Sequence, residues 1–391
     1  SLVGSELCIR DSLDLEVELD PALTEVVRHG TTTAVVANCS IGVPFGRQNE
    51  DGHDPVVSCF ARVENIPKNV LRTVADKITW DNPKAYLEHF EQIPLGANIV
   101  PMIPHSMLRI EAMGLERAIT EQPNEEDIQK MEAILEQAMK DGYAGFSTDM
   151  LPFHYMSDDP HRKLRIPANH APFHEVKRLT NVVRRYGRVW QATPEKDKPH
   201  NVLRWFMLSS GRFFGKPLKV TAVAALDVVT NRSLAKMGVT LTRLINSPLV
   251  DGKFRLQALA APFRVYADGA ITPLAEEIPV LRELNEVDLV DREARMALLN
   301  DPEFCKRFRR MWYHDKKGFS VGRLKRALHV MDDSFSRDLS DMVMTARPLA
   351  VWEGETLHDV YERLLDWQAR PSGRGRLGRT GRGPRNEAEA V

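Results

Sequence analysis

Cysteine is scarce in this sequence of 391 residues. There are four, Cys8, Cys39, Cys59 and Cys305, and no two stand in a CxxC spacing. That argues against a disulfide framework and fits a reducing, cytoplasmic compartment. An excess of one charge is also missing. Fifty-three Lys and Arg stand against 54 Asp and Glu, for a net charge of −1, so nothing steers the bulk of the chain toward nucleic acid or an anionic membrane. No run approaches the roughly 18 apolar residues that a membrane helix needs. The start lacks a basic region followed by an apolar stretch, so no secretory signal is read there. HExxH is absent, and no GxSxG, GxGxxG or GxxxxGK[ST] turn follows a strand candidate. These absences remove the common signatures of helix-borne zinc sites, serine-hydrolase elbows and phosphate-binding loops.

What is present is ample apolar material, 43% of the chain, in a recurring pattern. "DPALTEVVRHG" (20–30) reads as a short helix, with Asp20 as cap, Pro21 in the first turn and Gly30 as stop. "TTTAVVAN" (31–38) reads as a buried, β-branched strand. Strand candidates follow at 96–104, 144–148, 188–194, 217–226 and 254–262. "NEEDIQKMEAILEQAMKDG" (124–142) is an amphipathic helix. Asn124 caps it, Ile128, Met131, Leu135 and Ala138 share a face, and Gly142 ends it. Further helices are expected at 173–187 and around 231–246, and 277–345 reads as helical and charged. About six short strands alternating with helices imply βαβ units and a parallel sheet. Their number, with no Gly-rich nucleotide turn, favours a closed (β/α)₈ barrel of TIM type over an open sheet.

A barrel places its chemistry at the C-terminal ends of its strands. Asn38, Cys39 and Ser40 follow the first strand. His105 and Arg109 follow the second, and Thr148 and Asp149 the third. A long polar loop after Asp149 gathers His154, Asp158, Asp159, His161 and His170; an active-site loop and a solvated surface loop fit it equally. Thr193 and Glu195 follow the fourth strand and Asp227 the fifth. Cys39, His105, Asp149 and Asp227 are expected near one edge of the sheet. Cys39 reads either as a small apolar residue or as a thiolate ligand.

Several stretches together resemble the N-acyl-D-amino acid deacylases, or D-aminoacylases, of the amidohydrolase superfamily. "LDLEVELDPALTEVVRHGTTTAVVANCSIG" (13–42) resembles the family's opening, in which HxHxD precedes a helix start, HG[VT]TT and a strand ending in NC[GS]. "PHSMLRIEAMG" (104–114) resembles its GHxxLRxxxMG segment, and "MEAILEQAMKDGYAGFSTD" (131–149) its helix ending in GFST. "FARVENIP" (60–67) resembles its segment before the next helix. The likeness runs from about Leu13 to Trp367. It implies a (β/α)₈ barrel with a small β-sandwich, and hydrolysis of the amide joining an acyl group to a D-amino acid. Zinc would activate the attacking water and an Asp would move the proton. It places Cys39 on the metal-ligating cysteine and Asp14 on the Asp that closes HxHxD.

The departures are specific. Arg10 and Ser12 stand where the family has its two histidines, and neither replaces an imidazole as a zinc ligand. The middle strands "VWQATP" and "VTAVAALD" carry no histidine, and no NDSGAH-like segment supplies the late Asp. Residues 1–12 have no period, and 370–391, an Arg/Gly-rich tail, should be disordered. The expectation is a partial amidohydrolase barrel over 13–369, incomplete at both ends, with a foreign leader and tail. The full-length parent would cleave a small-molecule amide with zinc, and the chain as given would be inactive. The rival reading is a non-catalytic barrel acting as a binding or scaffold protein. An RNA-associated protein using its Arg/Gly tail is a weaker third.

Overall fold

The structure is a computed structural model. It describes residues 13–49, 52–193, 195, 199–225, 233–258, 273–288, 291–313, 324, 338–344 and 353–369. The leader 1–12, the tail 370–391, and Arg10, Ser12 and Asp227 lie outside the described residues. The described residues up to Pro273 form one compact unit, and those from Leu274 onward form a second. Among the described residues no helix is long and apolar enough to cross a membrane.

Among the described residues, six strands build the first unit: β1 (Thr33–Val36), β2 (Asn98–Pro104), β3 (Gly145–Asp149), β4 (Val189–Thr193), β5 (Lys219–Ala225) and β6 (Lys253–Ala258). They pair in sequence order, and every pairing is parallel. Parallel neighbours need a crossover, and helical segments separate the strands. The alternation expected from the sequence is therefore present, with most strand bounds shifted by one or two residues; 259–262 of the last candidate lie outside the described residues.

The sheet is strongly curled. Adjacent strands are about 4.8 Å apart, so β1 and β4 in a flat sheet would stand about 14 Å from each other. Yet the Cys39 amide, just beyond β1, donates to Gln191 Oε1 on β4 at 3.0 Å. The C-terminal end of β1 thus faces β3 and β4 across a concave surface. Strand parity follows from this. Ser147, Asp149, Gln191 and Thr193 point into the concavity, while Phe146 and Trp190 point the other way and are fully buried.

Among the described residues, ten helices (α1–α10) lie between Leu13 and Phe206: α1 (Leu13–Leu19), α2 (Thr24–Arg28), α3 (Pro55–Val63), α4 (Lys68–Ala75), α5 (Pro83–Phe90), α6 (His105–Met113), α7 (Leu115–Thr120), α8 (Glu125–Asp141), α9 (Phe173–Arg185) and α10 (Pro199–Phe206). α8 follows its sequence closely. Asn124 and Asp127 form a reciprocal capping box, the two bonds measuring 2.9 Å each, and Gly142 closes the helix in the left-handed conformation. Ile128, Met131, Leu135 and Ala138 are buried. Asn124→Ala removes half of that box, and the expected loss is about 1 kcal/mol. A urea-unfolding midpoint that does not move would show that the cap contributes nothing.

The segment 20–30 departs from expectation. Leu23 is left-handed (φ 47°), so Asp20 to Leu23 forms a turn and only Thr24–Arg28 is helical. Asp20 still serves as a cap, accepting from the Thr24 amide at 2.8 Å. In the second unit, Phe304, Phe308 and Trp312 form one buried face of the helix Pro302–Trp312, and Phe308 and Trp312 stack at 5.9 Å.

Candidate active site at the C-terminal edge of the sheet

The chain leaves β1 through an unusual turn. Ala37, Cys39 and Ser40 all hold positive φ, at 61°, 51° and 67°. None is glycine, and each such residue costs about 1–3 kcal/mol unless its surroundings enforce it. Here they do. The Ala37 amide donates to Asp14 Oδ2 at 2.7 Å, and the Cys39 amide to Gln191. The Ser40 amide donates to Ser147 Oγ at 3.2 Å, while Ser147 Oγ donates to the Ala37 carbonyl at 2.5 Å. Ser40 and Ser106 join hydroxyls at 2.9 Å, and the Ser106 amide donates to the Ser40 carbonyl at 3.0 Å. The turn is thereby tied to α1, β3, β4 and the start of α6.

This geometry aims the Cys39 side chain inward. Thr193 Oγ1 donates to its sulfur at 3.4 Å, and Gln191 Nε2 lies 3.9 Å away. Thr193 pairs in register with Asp149 on the neighbouring strand. Asp149 Oδ2 accepts a short hydrogen bond from His154 Nδ1, and its Oδ1 accepts from the Leu151 amide at 2.7 Å. Asp149 is fully buried and His154 nearly so. An imidazole whose one nitrogen is held by a carboxylate has its ring and tautomer fixed, as proton transfer requires.

Cys39 and Asp149 thus lie on the same edge, linked through Thr193. The backbone of His105 also lies there, but its side chain turns away. Its Nε2 meets Glu175 Oε1 on α9 at 2.6 Å, and its ring packs edge-on against Phe146 at 5.0 Å. Glu175 Oε2 takes a short ion pair from Arg109. All three side chains are fully buried. Burial holds the His105 imidazole below its ordinary pKa. Burial works to raise Glu175, but the His105 hydrogen bond and the nearby Arg109 charge outweigh it and leave the carboxylate lowered. The set reads as a neutral imidazole beside a carboxylate–guanidinium pair that holds α6 and α9 together.

The polar loop after β3 does not converge on one point. His154 goes to Asp149, His161 to Glu116 at 2.9 Å, Asp158 to Lys68 at 2.7 Å, Asp159 to Arg162 at 2.6 Å, and His170 to the Arg165 carbonyl at 3.2 Å. Of that group only His154 reaches the edge. Glu195 accepts from Asn201 at 2.8 Å. Gln191 and Ser147 were not singled out in the sequence, although they alternate with Thr193 and Asp149 at the period that puts them on one face.

Asp14 is fully buried, its pKa pushed up to about 7 by burial, with the nearby Glu18 charge adding to the rise. The Ala37 amide works against that shift.

A hydrolytic zinc site needs three protein ligands and an open position. Among the described residues, no three His, Cys, Asp or Glu side chains gather closely enough to hold a metal ion. The Cys39 sulfur accepts hydrogen bonds from a hydroxyl, Thr193 Oγ1, and an amide, Gln191 Nε2. Zinc therefore does not fit the described donor set.

No family model matches the sequence. An uncharacterized protein of Mycobacterium tuberculosis (strain ATCC 25618 / H37Rv) is 33% identical over 313 residues, which is 79% of this chain and 50% of the relative. An uncharacterized protein of Mycobacterium bovis matches to the same extent. The chain spans about half the length of the curated relatives it matches. Among solved structures, a D-aminoacylase described as defining a novel subset of amidohydrolases aligns at TM-score 0.43 and 19% identity, over 62% of this chain and 45% of that one. An N-acyl-D-glutamate deacylase from Bordetella bronchiseptica, complexed with zinc and a phosphonate inhibitor, aligns at TM-score 0.41 and 17% identity, over 62% and 44%.

Proposed function

We propose that the concave C-terminal edge is the substrate-facing part of an amide hydrolase of the D-aminoacylase type. The substrate class is a small linear amide, an N-acyl-D-amino acid, whose C–N bond is cleaved in the full-length parent. One observation carries the reading. A strained, heavily tied turn presents Cys39 beside Thr193, next to the Asp149–His154 pair, at the end of a parallel sheet where such folds do their chemistry. The motif resemblance from Leu13 to Trp367 supports it independently. In this reading His154, oriented by Asp149, moves a proton between water and the leaving nitrogen. Gln191 and Thr193 hold the thiol in place.

The chain by itself is expected to be inactive. With Cys39 as the one ligand mapped from the family pattern, it is expected to show no stoichiometric tight zinc by calorimetry and no hydrolysis of N-acetyl-D-amino acids. Arg10→His with Ser12→His is expected not to rescue it, because it adds at most one side of a metal site. The fuller-length mycobacterial relative, assayed beside it, is expected to cleave such substrates. Tight zinc and turnover in this chain would show the site to be misassigned. A folded relative inert toward every N-acyl-D-amino acid tried would sink the amide-hydrolase reading. The donor set around Cys39 favours a second reading, a barrel that binds the same ligand class without cleaving it. Saturable ligand binding with no turnover in both proteins would select it.

A further inference from the structure

Asp14 lies 23 residues before Ala37 and contributes nothing directly to the concave edge. Its carboxylate is fully buried, and its one side-chain hydrogen bond to the turn is the 2.7 Å acceptance from the Ala37 amide. Ala37 is the first of the three left-handed residues, and Cys39 is the second. Without that acceptor the Ala37 N–H would be left buried and unpaired at a backbone position that already costs energy. The neighbouring sequence makes room for the contact. A Cβ on Gly42 would stand 2.7 Å from Ala37 Cβ and 3.1 Å from Asp14 Oδ1, so a side chain there would press on both partners. The Tyr86 hydroxyl lies beside the same carboxyl.

We infer that Asp14 is a positioning residue for Cys39. Its carboxylate on the Ala37 amide fixes the left-handed turn that delivers the thiol to Gln191 and Thr193. The inference rests on the reading of this edge as the functional site, but its test needs neither turnover nor metal, so the two can fail separately.

The experiment is alkylation of the full 391-residue chain with iodoacetamide, followed peptide by peptide by mass spectrometry. Cys59 serves as the internal control, being buried on α3 with its sulfur 3.6 Å from Met156 Sδ, away from the turn. In Asp14→Leu the turn opens more often, and Cys39 is expected to react about 10-fold faster or more, with Cys59 unchanged. Asp14→Asn restores a carbonyl oxygen for the Ala37 amide and is expected to return Cys39 close to the parent rate. If Asp14→Leu fails to fold, Gly42→Ala decides, because it displaces the contact without removing the carboxylate; it too should accelerate Cys39 alone. A Cys39 rate unmoved in the folded variants would overturn the inference. So would Cys39 and Cys59 accelerating together, which would make Asp14 a general core residue, or Asp14→Asn behaving like Asp14→Leu.

Discussion

Glu175→Leu is expected to cost about 3–5 kcal/mol of stability. The reason is charge, not volume. Glu175 is fully buried and meets two partners, His105 and Arg109, that are equally buried. Removing the carboxylate leaves the buried Arg109 guanidinium ionised without its ion-pair partner, and a buried charge stripped of its pair is the expensive case. Arg109 keeps only long contacts to the Ala118 and Glu121 carbonyls, at 3.3 and 3.4 Å. A companion variant separates pair from packing. Adding Arg109→Met should recover most of the loss, since an apolar replacement of both ions is often near neutral. The check is a urea titration of the three proteins. A stability loss under about 1 kcal/mol for Glu175→Leu, or no recovery in the double variant, would contradict the assignment.

The second large effect is a fall in stability as pH rises, centred on Asp14. Its carboxyl ionises at about 7 in the folded chain, against an ordinary 3.8. Below 3.8 both folded and unfolded forms are protonated, and the group is neutral in the balance. Between 3.8 and about 7 the unfolded chain has released the proton while the folded chain keeps it, so stability declines with pH. Above about 7 both are ionised, and the full penalty remains. At 1.36 kcal/mol per pH unit, that penalty is on the order of 4 kcal/mol. Among the described residues, the groups facing Asp14 are Glu18, Tyr86 and Tyr143. None is cationic, which is why burial prevails. Asp14→Asn should flatten this part of the curve and be the more stable protein at pH 8. A variant with the same pH slope as the parent would locate the effect elsewhere.

How much of this could be read from the sequence depends on how local the determinants are. α8 was legible throughout, because cap, apolar period and terminal glycine all lie within it. The six strands were legible from β-branched runs between turns. The helices between β1 and β2 were not read. Nearly all of α3 is buried, so it shows little polar face. Its start was nonetheless signalled, by Asp54 before Pro55, as was that of α5 by Asn82 before Pro83; both aspartyl and asparaginyl side chains cap. At the site, Cys39 and Asp149 followed from strand ends, and Gln191 and Ser147 lay one parity step away. The Asp14–Ala37 contact was not legible, since it depends on how a helix packs against a turn. His105 misled because a residue at the right edge can still send its side chain behind the sheet.

The central claim is that the concave edge takes up the N-acyl amino acid. Hydrogen–deuterium exchange with and without saturating N-acetyl-D-amino acid tests it directly, whether or not the chain turns the ligand over. Protection is expected in the peptides covering 37–42, 147–154 and 190–193, and none at the opposite ends of the strands around 95–98, 142–145 and 215–219. Protection confined to those opposite ends, or no protection at the edge when binding is saturated, would contradict the account.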